Sequence, residues 1–137
     1  MNRIVLRRAL SEIARIPAWV EKLVIHPPPN ESVQFAINLC LEEAISNVIR
    51  HGYVSGEADS QVMLEFAQPR EGYLVFTIED GGVPFNPLLA PESPLLDEQG
   101  EIAIGGRGIQ LIRGFADTLE YERTATGNRL RIGISNC

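Results

Sequence analysis

Glu43 and Asn47 are two polar side chains set four residues apart in an otherwise apolar helical pattern. Residues at this spacing are neighbours on one face of an α-helix, so a carboxylate and a carboxamide would lie side by side. A carboxylate can take a proton from a hydroxyl group, and an amide oxygen is a suitable ligand for Mg²⁺ that also holds phosphate oxygens. Most such pairs are only the solvated side of an amphipathic helix, so this pair alone assigns no function.

A second polar group comes at the end of a strand-like alternation. Leu74, Phe76 and Ile78 have the parity of a core-facing strand, and Asp80 has the same parity directly after them. Its carboxylate is therefore expected to point toward the helix layer, with Gly82 two residues further on. An aspartate before glycines is also a common way to begin a turn, and for the isolated motif this is the favoured interpretation.

A glycine-rich segment, Gly105-Gly106-Arg107-Gly108, precedes a helical pattern. Glycines allow backbone N–H groups to approach phosphates, and a helix N-terminus adds partial positive charge. By itself the segment is explained as well by a hinge. The three signals together suit a nucleotide.

The elements that must position these groups begin with a strand near residues 3–9 and two helices. Ser11 is the predicted N-cap of the first helix, which the prolines at 27–29 end. Asn30 is the predicted cap of the second helix, Glu31–His51. An apolar stripe on the second helix points to the core, formed by Ile37, Leu41, Ala44, Ile45 and Val48.

Two hairpins complete the predicted fold. Residues 61–68 and 72–79 alternate in strand fashion around a turn at 69–72, and 118–122 pairs with 129–134. A proline-rich loop at about 86–105 separates them and is expected to cover a site. We predict one domain over residues 1–137, an α+β two-layer sandwich in which helices cover one face of a mostly antiparallel mixed sheet.

Composition narrows the classes of function. The 137 residues are 45% hydrophobic and 22% charged, as in an ordinary globular domain, and no apolar run is long enough to span a membrane. A net charge of −6 argues against direct contact with nucleic acid. The N-terminus has no secretory signal pattern, so a cytoplasmic protein is expected. Cys40 and Cys137 form neither a disulfide framework nor a metal motif.

The motifs resemble, in order and spacing over residues 30–135, the bacterial anti-sigma factor serine/threonine kinases, which belong to the ATPase superfamily of gyrase and the sensor histidine kinases. The residues that carry the resemblance are Glu43-x-x-x-Asn47 with Arg50-His51-Gly52-Tyr53, Asp80-x-Gly82-x-Pro84-Phe85, Gly106-x-Gly108, Glu120-Tyr121-Glu122-Arg123 and Gly127-Asn128-Arg129-Leu130.

The resemblance implies a role for each candidate residue. Glu43 would be the catalytic base, Asn47 would coordinate Mg²⁺, and Asp80 would accept a hydrogen bond from the adenine amino group of ATP. Gly82 would allow close approach of the base, and the loop at 86–105 would be the ATP lid. The remaining nucleotide-binding positions would be Gly105, Gly106, Arg107, Gly108 and Asn128.

The sequence departs from the family pattern at three positions. Ile104 stands where some members have an arginine that reaches the terminal phosphate, and Arg107 stands between the glycines, where an apolar residue is usual. Asn128 replaces a threonine that is common on the adenine side, and its amide can still donate and accept.

By resemblance the protein would be a homodimeric kinase that binds a sigma factor and phosphorylates a STAS-domain anti-sigma-factor antagonist in a partner-switching pathway. It would act on transcription without contacting DNA. The alternative is a nucleotide-gated protein-binding module without phosphotransfer. A third reading is a degenerate ATPase-like scaffold. The role of Glu43 in phosphotransfer distinguishes the kinase from the binding module. Nucleotide affinity that does not depend on Asn47 would indicate the scaffold.

Overall fold

A five-stranded sheet forms the centre of the structure. A computed structural model describes residues 2–51, 61–82 and 108–136. In these ranges the strands lie in the order β1-β2-β3-β5-β4, and each neighbouring pair is antiparallel. The strands are β1 (Arg3–Arg7), β2 (Gln61–Arg70), β3 (Tyr73–Asp80), β4 (Thr118–Arg123) and β5 (Asn128–Ser135). The helices are α1 (Ile16–Glu21), α2 (Glu31–His51) and α3 (Gly108–Phe115).

The long helix α2 begins and ends where the sequence predicts. The side-chain Oδ1 of Asn30 accepts a hydrogen bond of 2.9 Å from the Val33 N–H, which satisfies one of the unpaired donors at the helix start. The predicted stripe faces the core, since Ile37, Leu41, Ala44 and Ile45 are all buried and Val48 is partly buried. The helix is thus held in place by its apolar face.

The first helix differs from the prediction. Ser11 is not an N-cap, because a 3-10 helix already begins at Leu10, with Ala9 at the cap position and no capping side chain. The α-helix itself covers only Ile16–Glu21. Pro17 explains its late start, because a proline has no N–H to bond back into the preceding turn and is accepted at the beginning of an α-helix. The helix also ends before the prolines at 27–29.

The β2–β3 hairpin is confirmed with a shorter turn. Only residues 71 and 72 lie between the strands, and Gly72 has a φ of +80°, a left-handed conformation that favours glycine. Pro69 and Arg70 extend β2 instead of forming the turn, and the register shifts between Ala67 and Arg70. A proline cannot donate to the ladder, so an irregular stretch near a strand end is where it fits.

The two faces of the sheet separate as predicted. Leu74, Phe76 and Ile78 are buried beneath the helices, together with Ile132 and Ile134 of β5. On the opposite face Arg129 bridges two carboxylates, Glu79 on β3 and Glu122 on β4, each at 2.6 Å. The α+β architecture is therefore confirmed. None of the helices in the described ranges is long and apolar enough to cross a membrane.

Candidate functional site

Asp80 ends strand β3 and carries its carboxylate to the helix-covered side of the sheet. The alternation of β3 decides this, since every second residue from Leu74 onward is buried, and the exposed fraction of Asp80 is 9%. Its Oδ1 atom accepts two hydrogen bonds, from the Gly82 N–H at 2.8 Å and from the Asn128 side-chain Nδ2 at 3.1 Å. The predicted positions Asp80, Gly82 and Asn128 are thus brought together.

Asn128 is the first residue of β5 and lies opposite Asp80 in the β3–β5 register. Its side chain is buried, and its Oδ1 accepts a hydrogen bond from the Tyr121 hydroxyl and one of 3.4 Å from Arg123 Nη1. The same Arg123 nitrogen donates to the Gly82 carbonyl at 2.7 Å. Two residues of β4 therefore hold the far end of the Asn128 amide.

Burial and the neighbouring polar groups shift the pKa of Asp80 in opposite directions. Burial raises the pKa of the Asp80 carboxyl, while the hydrogen bonds from Asn128 and Gly82 and the charge of Arg123 act in the lowering direction. Desolvation is the largest of these effects, so the pKa is raised overall. When ionised, the carboxylate is an acceptor only, which suits it to bind an amino group of a ligand.

The loop that joins β4 and β5 packs directly against this corner. A Cβ atom at Gly127 would lie 1.7 Å from the Asp80 carbonyl oxygen, so no side chain can be accommodated there. The Thr124 hydroxyl closes the loop by accepting the Gly127 N–H at 2.9 Å and donating to the Gly127 carbonyl at 3.0 Å. Gly127 thereby allows Asn128 to reach Asp80.

The α2 pair lies on the described part of the long helix. Asn47 is buried, with an exposed fraction of 5%, and Glu43 is half-buried one turn before it. The hydrogen bonds described for the Asp80 carboxylate come from Gly82 and Asn128, and so from neither side chain of this pair. Residues 2–51, 61–82 and 108–136 contain no group of three or more His, Cys, Asp or Glu side chains that could hold a metal ion. Mg²⁺ commonly takes few protein ligands plus phosphate oxygens and waters, so Asn47 as a single protein ligand fits an ion that arrives with a nucleotide.

The glycine-rich segment is only partly described. Gly108 is the first residue of α3, which confirms a helix beginning at the end of that segment. Gly105, Gly106 and Arg107 lie outside the described residues, as does the predicted lid at 86–105.

Sequence reasoning did not assign Tyr121 and Arg123 to the site. Both residues belong to a motif that carries the family resemblance, which implies no role for either side chain. Residues two apart on a strand face the same side, so their spacing places the two side chains together, but only the β4–β5 register sets Arg123 opposite Asn128.

Comparison with known proteins agrees with this fold. The family model of the histidine kinase-like ATPase domain matches residues 5–134. The chain therefore belongs to the histidine kinase-like ATPase domain family, which confirms the superfamily that the motifs indicate.

Two curated relatives show the kind of protein it is similar to. Serine/threonine-protein kinase BtrW of Bordetella bronchiseptica is 27% identical over 114 residues, which cover 83% of this chain and 79% of BtrW. Anti-sigma F factor of Clostridium perfringens is 30% identical over 95 residues, which cover 69% of this chain and 66% of that protein. Both names agree with the resemblance to anti-sigma factor kinases that the motifs indicate.

Solved structures support the fold. The RsbU and RsbW domains of a Mycobacterium tuberculosis protein match with a TM-score of 0.64 at 13% identity, over 98% of this chain and 32% of that one. The histidine kinase domain of a blue-light activated kinase from Erythrobacter litoralis matches with a TM-score of 0.53 at 21% identity, over 95% of this chain and 61% of that one. The chain spans less than two thirds of both structures.

Proposed function

We propose that this protein is an ATP-dependent anti-sigma regulatory factor, a serine/threonine kinase that phosphorylates a STAS-domain anti-sigma-factor antagonist. The observation that carries the proposal is the buried Asp80 carboxylate, which Gly82 and Asn128 hold at the end of β3 in a chain of the histidine kinase-like ATPase family. The kinase and anti-sigma names of its relatives support the choice within that family.

The adenine end of the proposed site is the Asp80 corner. Asp80 accepts a hydrogen bond from the adenine amino group, and Gly82 allows the base to approach because it has no side chain. Asn128 stands on the same side and holds the carboxylate in place through its hydrogen bond to Oδ1.

The phosphate end of the proposed site combines α2 with the start of α3. Asn47 supplies an oxygen ligand to Mg²⁺, which when bound neutralises phosphate charge. Gly105, Gly106, Arg107 and Gly108 bind the phosphates from the segment that leads into α3, where backbone N–H groups and the helix N-terminus favour anions. The loop at about 86–105 forms the lid of this one domain.

Glu43 is the proposed catalytic base. It takes the proton from a serine or threonine hydroxyl of the partner as the hydroxyl oxygen forms a bond to the terminal phosphorus of ATP. The bond from that phosphorus to ADP breaks, and ADP leaves with the electron pair. The half-buried position of Glu43, one turn from Asn47, is compatible with a base that contacts both nucleotide and partner.

The proposed partners are proteins. A STAS-domain antagonist is the substrate, a sigma factor is the bound target, and the kinase is a cytoplasmic homodimer. The net charge of −6 agrees with action on transcription without contact to DNA.

Replacement of Glu43 by glutamine tests the catalytic role. The purified chain is incubated with labelled ATP, Mg²⁺ and a STAS-domain antagonist protein, and transfer of label and ATP affinity are measured separately. We expect Glu43→Gln to lower the transfer rate by about 100-fold or more, since a general base contributes on this order, with ATP affinity within about threefold of the unsubstituted chain.

Glu42 provides a matched control, because it is also a half-buried glutamate of α2. Glu42→Gln should keep both transfer and binding. Binding of ATP by the unsubstituted chain without transfer would favour the nucleotide-gated binding module instead, and full transfer by Glu43→Gln would exclude Glu43 as the base.

A further inference from the structure

The hydrogen bonds to the Asn128 amide point to a set of residues that determines nucleotide specificity at the proposed adenine site. We propose that Tyr121 and Arg123 hold the Asn128 amide in the single orientation in which Asp80 selects a base with an exocyclic amino group over one with a carbonyl. This inference rests on the proposed function, since it concerns the nucleotide that the same site binds.

The side-chain amide of Asn128 could take two orientations that differ by a half turn. Its neighbours allow only one of them. Arg123 has donors and no acceptor, so the atom that faces it must be Oδ1. Ionised Asp80 has acceptors and no donor, so the atom that faces Asp80 must be Nδ2. The two charged residues therefore impose the same orientation from opposite ends.

Arg123 is itself held in place by the backbone of Gly82, which also contacts Asp80. Its Nη1 donates to the Gly82 carbonyl at 2.7 Å, and the N–H of Gly82 donates to Asp80 at 2.8 Å. Asp80, Asn128, Arg123 and Gly82 thus form a closed ring of hydrogen bonds, to which the Tyr121 hydroxyl adds a further donor at Asn128 Oδ1.

The ring determines what Asp80 offers to a ligand. Both donors from the ring, Gly82 N–H and Asn128 Nδ2, end on Oδ1, and neither uses Oδ2. These two donors also act against the burial that raises the pKa of Asp80, so the ionised carboxylate is more favoured with the ring than without it. Asp80 is therefore kept as an acceptor, which binds an amino group and repels a carbonyl oxygen.

Loss of Arg123 would weaken this discrimination, because Asp80 alone would then set the orientation of the amide. Without Arg123, the Tyr121 hydroxyl can turn to accept a hydrogen bond, and the amide can then place Oδ1 toward Asp80. Two acceptors face one another in that arrangement unless Asp80 takes up a proton. A protonated Asp80 would donate to a carbonyl and so accept the wrong base.

Nucleotide selectivity is the readout that tests this inference. Dissociation constants for ATP and inosine triphosphate, in which a carbonyl oxygen replaces the amino group, are measured by calorimetry with Mg²⁺ for each purified variant. The unsubstituted chain should prefer ATP by about tenfold or more, because a polar site rejects an analogue that leaves its groups unpaired.

Four variants then distinguish orientation of the Asn128 amide from a purely structural role. Arg123→Met should reduce the preference to less than about threefold, and Arg123→Lys, which restores a donor, should recover most of it. Tyr121→Phe removes one hydroxyl and should reduce the preference by a smaller factor. Arg131→Met alters an exposed arginine of β5 and should leave the preference unchanged.

The outcomes distinguish this inference from the proposed function. If Arg123→Met and Tyr121→Phe weaken ATP and inosine triphosphate by equal factors, the two residues only support the fold and the inference is wrong. Equal binding of both nucleotides by the unsubstituted chain also overturns it but leaves nucleotide binding intact. Failure to bind either nucleotide would overturn the proposed function itself.

Discussion

At the scale of single residues, the buried Asp80 carboxylate lowers the stability of the fold but serves the proposed function. A carboxylate that is removed from water disfavours its own charged form, and burial is the main reason that the pKa of Asp80 is raised. The folded protein tolerates the charge through donors from Gly82 and Asn128. A residue placed in this way is more readily explained by a ligand that needs an acceptor than by packing.

Replacement of Asp80 by asparagine should therefore stabilise the nucleotide-free protein at neutral pH. A raised folded pKa means that the carboxyl group costs stability as the pH rises from its ordinary range through the folded value. Asparagine keeps an oxygen for both donors and carries no charge. We expect a higher unfolding midpoint than the unsubstituted chain at pH 7, a difference that closes toward about pH 4, and loss of ATP binding.

Thermal unfolding followed by circular dichroism over this pH range measures the effect, with the exposed Glu120→Gln as the control. A difference that grows on acidification would contradict the assigned cause.

Cys40, unlike Asp80, is a buried titratable group whose role is packing. The thiol lies in the core, and desolvation raises its pKa to about 12. A thiol is reactive mainly as the thiolate, so Cys40 is a packing residue at physiological pH.

At the scale of elements, the Asn30 cap sets the beginning of the helix that carries both Glu43 and Asn47. Asn30→Ala should lower the free energy of unfolding by about 1 kcal/mol, because it removes the acceptor for the Val33 N–H. Urea unfolding measures the change, and Asn30→Asp, which keeps an oxygen at the cap, is the control. Equal loss in both variants would mean that the cap bond does not account for the effect.

The outer edge of β1 is covered by side chains of the 3-10 helix. Glu12 accepts the Arg7 N–H at 3.0 Å, and Arg15 donates to the Val5 carbonyl at 3.3 Å while it pairs with Glu12 at 3.1 Å. Backbone groups that another strand could use are therefore occupied. The hydrogen bond from Arg7 is the main cause of the lowered pKa of Glu12, so this cover persists until the pH falls through that lowered value.

At the scale of the whole molecule, ligand binding should appear as stability. A ligand that binds only the folded state stabilises it by about 2.7 kcal/mol at a hundredfold excess over its dissociation constant. Mg·ATP should therefore raise the unfolding midpoint of the protein by several degrees, and EDTA should remove most of that rise.

Asn47→Ala should show a small rise that is the same with Mg²⁺ and with EDTA, because the proposed metal ligand is missing. Asn38→Ala, which changes an asparagine on the same helix, should respond like the unsubstituted chain. An undiminished, Mg²⁺-dependent rise in Asn47→Ala would show that Asn47 is not the ligand and would favour another source of metal binding.

The sequence by itself determined the features that depend on neighbouring residues. The bounds of α2 follow from the Asn30 cap and the apolar period, and the burial of Asp80 follows from the alternation of β3. Propensity, capping and strand parity act over a few residues, which is why both could be predicted. The N-cap at Ser11 was wrong because Pro17 delays the start of the α-helix.

Only the tertiary structure decided how the site is assembled. Asn128 reaches Asp80 across 48 positions of sequence, and Arg123 reaches Gly82 across 41. These contacts depend on the strand order that places β5 between β3 and β4, and on the register that sets Asn128 opposite both Asp80 and Arg123. Register is the outcome of packing over the whole sheet, so no local pattern could reveal that Tyr121 and Arg123 orient the Asn128 amide.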